Sequence, residues 1–308
     1  MSFKVTLILS ENWTMTSARD LRALVDWAVI AEEEGVDSVM LSEHISLGPG
    51  ADSEGRMANL RDYALPNNQD PATPWPSSLL LLSAIAARTT RIRLVAGAII
   101  APLRHPVQMA KDLATLDLLS EGRLIVIPTV SWHKDEYDAL NVPFNVRGQL
   151  LDEHLAAWSV LWRETPASFA GKHYAFNDVY LEPKPYRAGG PLLYFGGSTL
   201  HDTLIRRIVQ YGSGFNPLGS PSTADMERLA RAMRAAGREL SELEMVGGTR
   251  GVFADPDSVA ELEQGLGSVP RQADEGYTNF CIKPSQYTDD STTIRSFCRE
   301  VVARIGRV

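Results

Sequence analysis

Cysteine and long apolar runs are scarce in this sequence. Only two of its 308 residues are cysteines, Cys281 and Cys298, so a fold held together by several disulfides is excluded. No uninterrupted apolar stretch approaches the roughly 18 residues that a membrane-spanning helix needs. The first residues also lack the basic, apolar and small-residue order of a secretory signal. These absences predict a cytoplasmic protein with no membrane partner and with both cysteines packed inside.

Positive charge is in deficit. The chain has 30 Lys and Arg against 38 Asp and Glu, a formal net charge of −8. An acidic surface argues against nucleic acid or an anionic membrane as a partner. An anionic cofactor could still bind, but only where hydrogen-bond donors cluster locally.

Several catalytic and ligand-binding motifs are missing as well. The first predicted strand lacks the His-x-His of metal-dependent barrel hydrolases, and H-E-x-x-H does not occur, so no metal site is expected. G-x-S-x-G, G-x-G-x-x-G and the P-loop are also absent. A metal-dependent barrel hydrolase is therefore the weakest of the functions considered.

Alternating strands and helices are the main positive signal. Residues 92–100 and 124–129 are almost continuously apolar, which is typical of strands covered on both faces in a parallel sheet. Further strands are expected at residues 3–9, 36–41, 192–195, 245–254 and 279–283, with a short one ending at 215. Eight strand–helix units with no linker between them favour one (β/α)₈ TIM barrel over residues 1–308, rather than an open doubly wound sheet. Two additions are expected: an inserted β-hairpin near residues 168–185 and a long loop, residues 45–76, after the second strand.

In such a barrel, function resides at the C-terminal strand ends. His44 ends the second strand and could exchange a proton near neutral pH. Its neighbour Glu43 need not contact it, because adjacent strand residues point to opposite faces. A surface dipeptide is the ordinary alternative for Glu43 and His44.

Glu11 also follows a strand and is a candidate substrate contact. Trp132 and His133 follow strand four together with Glu136 and Tyr137; this cluster could stack on a ring or bond a substrate, and Trp132 and His133 are the candidate substrate contacts, whereas an amphipathic helix start is the ordinary alternative.

Two small-residue segments could lie against a cofactor. Gly97 and Ala98 interrupt a strand of branched residues, which marks a bulge, a flat ligand or simply a tight strand contact. The run Gly196, Gly197, Ser198 and Thr199 is expected to open a helix and to offer amides and hydroxyls to an anion. An ordinary helix cap would use the same residue types.

The order of these parts resembles the bacterial luciferase-like oxidoreductases, which use flavin or deazaflavin. The resemblance rests on the Glu-His pair that ends strand two, the small-residue segment of strand three and the His105-Pro106 after it. It continues through ATLDLLSEGR, the Trp-x-x-x-Glu-Tyr spacing from Trp132, the segment PKPYRAGGPLLYFGGST and the later GSGF. It covers about two thirds of the chain.

The resemblance implies a barrel that binds FMN or the deazaflavin coenzyme F-420 at the strand C-termini. His44 would be the proton-transfer residue near the reactive ring edge. Gly97 and Ala98 would form a non-prolyl cis peptide behind the ring, Thr129 would face the ring, and residues 196–199 would contact the cofactor phosphate.

The function expected from this resemblance is oxidation or reduction of a small organic substrate. With reduced FMN the protein would be a monooxygenase, and with deazaflavin it would transfer hydride; the sequence does not rank the two. A separate reductase would supply reduced cofactor, since no nicotinamide fingerprint is visible. A catalytically inactive flavin-binding barrel is the alternative, and a homodimer is left open.

Overall fold

Eight parallel strands close into a barrel in the computed structural model, which describes residues 3–308. The strands within this range are β1 (Lys4–Ile8), β2 (Ser38–Leu41), β3 (Arg93–Ile100), β4 (Leu124–Thr129), β5 (Ala167–Ala170), β6 (Ala175–Val179), β7 (Leu192–Phe195), β8 (Gly214–Phe215), β9 (Glu244–Gly248) and β10 (Asn279–Ile282). Around the barrel the order is β1-β10-β9-β8-β7-β4-β3-β2. The predicted (β/α)₈ barrel is confirmed.

Helices surround the barrel and cover its outer face. They are α1 (Leu21–Glu33), α2 (Ser78–Ala86), α3 (Pro106–Leu119), α4 (Lys134–Ala139), α5 (Arg147–Arg163), α6 (Asp202–Tyr211), α7 (Thr223–Ala235), α8 (Leu262–Leu266), α9 (Val269–Asp274) and α10 (Ile294–Ile305). No helix within residues 3–308 is long and apolar enough to cross a bilayer.

The barrel strands are apolar on both faces because two hydrophobic clusters enclose them. On β3, Leu94 and Ala96 pack outward against the helices, whereas Val95 packs inside the barrel with Ile125 and Val246. This explains why the sequence of these strands does not alternate. Both cysteines are free and buried, and burial raises the pKa of each thiol to about 12.

A charged network closes the N-terminal end of the barrel. Arg93 on β3 donates to both carboxylate oxygens of Glu244 on β9, at 2.9 and 3.0 Å. Lys4 and Asn279 bond the same carboxylate. Burial alone would raise the pKa of Glu244, but these donors outweigh it and lower the pKa to about 2. Glu244 is therefore a carboxylate at neutral pH, and it joins its own strand, β9, to β1, β3 and β10.

Both predicted additions to the barrel are present. β5 and β6 pair antiparallel as a hairpin, within one residue of the predicted start. The chain between β2 and α2 forms the long loop, in which a single 3₁₀ turn, Pro49–Asp52, is the only helical segment described. Strand β9 is shorter than expected: it ends at Gly248 because Arg250 turns away to bond Asp62 of the long loop, at 2.7 Å.

Candidate active site

His44 and Glu136 form a buried pair at the C-terminal mouth of the barrel. Nδ1 of His44 lies 3.1 Å from Oε1 of Glu136, which also accepts from the Ser131 hydroxyl at 2.7 Å. The other oxygen accepts from the Ile45 amide at 3.0 Å. Ser131 reaches the carboxylate because its backbone adopts a left-handed conformation, φ 57°, which is uncommon for a residue with a side chain.

The Glu136 carboxylate is positioned to accept a hydrogen bond from Nδ1 of His44. Burial alone would raise the pKa of Glu136, but the hydrogen bonds from His44, Ser131 and the Ile45 amide prevail and lower it. A carboxylate at Nδ1 holds the imidazole proton there. The Nε2 atom of His44 has no hydrogen-bond partner among residues 3–308 and is left to exchange protons with a ligand in the mouth.

Aromatic side chains surround the His44 ring. Its centroid lies 5.0 Å from that of Trp75, 5.6 Å from that of Trp132 and 6.3 Å from that of His133, all in edge-on orientations. The structure thus brings the predicted Trp132 and His133 beside His44. Trp75 was not predicted as a site residue, and Glu136 was predicted only as a member of the cluster after strand four, without its pairing to His44. In the sequence, Trp75 is part of a Trp-Pro late in the long loop, and Glu136 is the Glu of the Trp-x-x-x-Glu-Tyr spacing. Neither pattern indicates a contact with His44.

Glu43 and His44 both follow the end of β2 and bond different partners. It accepts from both terminal nitrogens of Arg104, at 2.8 and 2.7 Å, and from the Ile100 amide at 2.9 Å. These bonds join the end of β2 to the end of β3. Glu43 therefore anchors the strand end that carries His44.

The peptide bond between Gly97 and Ala98 is cis, and the pairing of β3 with β4 shifts register at this point. The predicted cis bond or bulge is confirmed. A Cβ on Gly97 would lie 3.0 Å from Cδ1 of Ile127, so a tight contact inside the barrel accounts for the glycine. Thr129 ends β4 opposite Ile100, which places it near the same part of the mouth.

Residues 197–199 line a cleft beside β7, and Gly196 immediately precedes them. The cleft has a volume of about 490 Å³, and its lining includes Ser198, Thr199, Ser220, Ser222 and Arg228. Hydroxyl groups and a guanidinium fit a phosphate ester. Arg228 also pairs with Asp202 at 2.5 Å and with Asp225 at 2.9 Å, so an incoming phosphate would compete with two carboxylates.

The predicted helix start at residues 196–199 is wrong. Helix α6 begins at Asp202, and its cap is His201, whose Nδ1 accepts from the Leu204 amide at 3.2 Å. Residues 196–199 form the loop before the cap, with Ser198 and Thr199 exposed. The hydroxyls are not used as caps, which leaves them available to a ligand.

The long loop crosses the mouth and is bonded on both sides. On the side of α4, the Gly48 amide donates to Nε2 of His133 at 2.8 Å and the Gly50 amide to Asp135 at 2.9 Å. On the opposite side, the Tyr63 hydroxyl donates to the Thr249 carbonyl at 3.1 Å. Burial lowers the pKa of His133 despite nearby Asp135, which keeps Nε2 free to accept.

Glu11 and Lys283 lie at the ends of β1 and β10. Oε1 of Glu11 is buried without a hydrogen-bond partner, and burial raises the pKa of this carboxyl although Lys283 and His44 oppose the change. Lys283 is 1% exposed and donates to the Asp62 carbonyl at 2.9 Å. Burial lowers the pKa of its amine.

Metal ligands do not converge in the part of the chain that the structure describes. Among residues 3–308, no group of three or more His, Cys, Asp or Glu side chains could hold a metal ion. The chemistry of the mouth is thus that of an imidazole, carboxylates, an amine and indole rings.

Comparison with known proteins gives a consistent assignment. A family profile described as luciferase-like monooxygenase matches residues 1–280. The uncharacterized protein Rv0953c of Mycobacterium tuberculosis is 30% identical over 219 residues, which are 69% of this chain and 74% of that protein.

Two named enzymes match shorter stretches. The FMNH₂-dependent dimethylsulfone monooxygenase of Pseudomonas putida is 28% identical over 175 residues, 56% of this chain and 42% of that protein. The F-420-dependent glucose-6-phosphate dehydrogenase of Kineococcus radiotolerans is 30% identical over 179 residues, 54% of this chain and 47% of that protein. Each match spans less than half of the named enzyme.

Solved structures share the fold over the whole chain. An F-420-dependent secondary alcohol dehydrogenase, in complex with an F-420–acetone adduct, has a TM-score of 0.71 at 17% identity and is matched over 99% of both chains. The long-chain alkane monooxygenase LadA has a TM-score of 0.72 at 14% identity, over 100% of this chain and 92% of that one.

Proposed function

This chain belongs to the luciferase-like monooxygenase family, and from that premise we propose that it oxidises or reduces a small organic substrate, with His44 as the proton-transfer residue. The resemblance inferred from the sequence is thereby confirmed. Reduced FMN and coenzyme F-420 are both used by relatives, so both predicted cofactors stand. A partner reductase that supplies the reduced cofactor is part of the proposal. The proposed reaction on the small organic substrate is either oxygen-dependent oxidation or hydride transfer.

The pair of His44 with Glu136 is the observation that carries this proposal. The imidazole is fixed at Nδ1, its Nε2 is free, and aromatic rings surround it. A fixed imidazole in an apolar setting is suited to move one proton to or from a substrate oxygen. The indole rings of Trp75 and Trp132 pack edge-on against the imidazole, and the long loop crosses the mouth beside them.

The residues of the mouth fit a flavin or deazaflavin. The strand ends of β3, β4 and β7 are neighbours in the barrel, so Ala98, Thr129 and Ser198 lie along one continuous side of the mouth. Hydroxyls and Arg228 in the cleft would hold a phosphate, and Thr129 and Ala98 would lie toward a flat ring. When bound in reduced form, such a cofactor supplies the hydride or the electrons for oxygen activation.

The test is a side-by-side titration. We expect the protein to bind FMN or F-420 with a Kd at least about ten-fold lower for one than for the other. Failure to bind either cofactor, in the oxidised or the reduced form, contradicts the proposal. The preferred reduced cofactor is then offered with small alcohols, ketones and sulfones, with and without oxygen.

The outcome with oxygen separates the two reactions. Product that needs oxygen identifies a monooxygenase, and product formed equally under anaerobic conditions identifies hydride transfer. Cofactor that binds but is never oxidised or reduced by any substrate supports the inactive flavin-binding barrel instead. A reductase that uses a nicotinamide would be required to restore activity after one turnover.

A further inference from the structure

Polar atoms that are buried and have no hydrogen-bond partner occur in residues that follow β1 and β10 and in the long loop. They include Oε1 of Glu11, the hydroxyl of Ser285, the amide nitrogen of Gln286 and Nε1 of Trp75. Buried polar atoms in folded proteins are normally paired with protein groups or ordered water. The charges of His44 and Lys283 also act on the Glu11 carboxyl, so its unpartnered oxygen is available to a polar ligand in the mouth.

The barrel order places this side across from the candidate cofactor residues. β1 and β10 are neighbours, with Leu7 paired to Ile282, and around the closed ring they lie opposite β4 and β7. The cofactor candidates are on β3, β4 and β7. A ring bound there would face Glu11 and Lys283, with His44 on β2 between them.

Glu11 and Lys283 have unused hydrogen-bonding capacity. An ammonium has three donors, and the one hydrogen bond found for Nζ of Lys283 within residues 3–308 goes to the Asp62 carbonyl. Glu11 has an unpartnered acceptor. The two side chains affect each other's pKa but share no hydrogen bond, so a group that bridges them must both accept and donate.

We propose that Glu11 and Lys283 form a substrate subsite for an uncharged group that donates and accepts hydrogen bonds, a hydroxyl or a primary amide. The inference rests on the proposed function, because it treats the mouth as a substrate site. The pair carries no net charge, whether both groups are ionised or both are neutral. A carboxylate would lie beside Glu11 without a compensating second cation. A ketone would leave the buried Glu11 acceptor unpaired, which is unfavourable.

Four ring compounds of similar size test the subsite: cyclohexanol, cyclohexanecarboxamide, cyclohexanone and cyclohexanecarboxylate. Binding to the full-length protein, loaded with its preferred cofactor, is measured by ligand-observed NMR. We expect the alcohol and the amide to bind at least about ten-fold more tightly than the ketone and the carboxylate. Equal affinity for all four compounds overturns the proposal.

Substitutions at Glu11 and Lys283 test whether these residues cause the preference for the alcohol and the amide. Glu11→Leu should reduce the preference for alcohol over ketone to less than about two-fold, whereas Glu11→Gln, which keeps an acceptor oxygen, should retain most of it. Lys283→Met should weaken alcohol, amide and ketone together. Glu227→Leu, on the exposed face of α7, is the control and should change nothing. A Glu11→Leu protein that keeps the full preference contradicts the subsite.

The result is separable from the proposed redox function, because binding is measured without turnover. Selective binding that Glu11→Leu abolishes, in a protein with no redox activity, supports the subsite and contradicts the function. Turnover with no selectivity among the four compounds contradicts the subsite alone. A crystal structure in which a water bridges Glu11 and Lys283 and stays there when cyclohexanol binds elsewhere also overturns it.

Discussion

Nδ1 of His44 lies 3.1 Å from Oε1 of Glu136, although 92 residues separate the two in the chain. The same carboxylate holds the Ile45 amide at the start of the long loop. Proton transfer and the position of the loop are therefore connected through one side chain. Changes at Glu136 should affect both.

His44→Ala should lower turnover of the cofactor-loaded enzyme about 10²–10⁴-fold, the usual contribution of general acid–base catalysis. The cofactor Kd should change little, since the cofactor residues lie on other strands. Steady-state kinetics with the substrate found in the screen and a cofactor titration measure the two effects. His173→Ala, on the exposed hairpin, is the control. Undiminished turnover of His44→Ala would remove this residue from the mechanism.

Glu136→Gln should act through His44. An amide cannot hold the imidazole as a carboxylate does, so we expect turnover to fall by at least about ten-fold. Residues that work as a unit are not additive. The double variant with His44→Ala should therefore be no slower than His44→Ala alone. An additive loss in that cycle would mean that Glu136 acts independently.

The double variant Ser198→Ala with Thr199→Ala should weaken cofactor binding by about ten-fold or more, because hydrogen bonds to charged groups contribute about 1.5–3 kcal/mol each. Thermal unfolding should be unchanged, since both side chains are exposed. The matched control is Thr115→Ala with Ser159→Ala, whose hydroxyls bond carbonyls of their own helices. Normal cofactor affinity in the first variant would place the phosphate elsewhere.

Gly196, which precedes the cleft-lining residues, and Gly219, which lines the cleft, should respond differently to alanine. A Cβ on Gly196 would lie 2.1 Å from the Asn216 carbonyl oxygen, whereas a Cβ on Gly219 would meet nothing within 4 Å. Gly196→Ala must displace backbone, at a cost of about 1–3 kcal/mol, and should weaken cofactor binding. Gly219→Ala should leave binding and stability as they are. Urea unfolding and the cofactor titration report both quantities, and equal behaviour of the two variants would contradict the cleft geometry.

Stability should fall at acid pH through Glu244. Its folded pKa of about 2 lies below the ordinary value of 4.5, so the folded state binds fewer protons than the unfolded state. The stabilisation is complete above about pH 4.5 and is lost as the pH falls towards 2. Urea unfolding between pH 7 and pH 3 should show a weaker pH dependence for Glu244→Gln than for the wild type. Glu227→Gln, at an exposed position, should follow the wild type.

The fold could be predicted because its strands and helices are indicated by patterns of neighbouring residues in the sequence. Uninterrupted apolar strands such as 124–129 coincide with β4, since burial on both faces removes alternation. The small residues Gly97 and Ala98 likewise marked the irregular part of β3. The local pattern gave a wrong helix start at α6, because a histidine side chain two residues after the Ser-Thr pair caps the helix instead.

The contacts of the candidate site could be predicted only in part. His44, Trp132 and His133 follow strand ends, and strand ends converge in a barrel. The partner of His44 and the position of Trp75 depend on how the long loop folds back over the mouth. That loop has no regular periodicity. It is held by irregular turns of its own and by hydrogen bonds to residues far away in the chain.

Glu43 and His44 are adjacent in the chain, but substitutions at the two positions should have different effects: one on folding and the other on activity. Glu43 joins β2 to β3 through Arg104 and the Ile100 amide, so a replacement there would reduce the amount of folded protein in a cell. A replacement of His44 would leave abundance unchanged and remove activity. In a mutational scan that records abundance and activity separately, the two adjacent positions should fall into opposite classes.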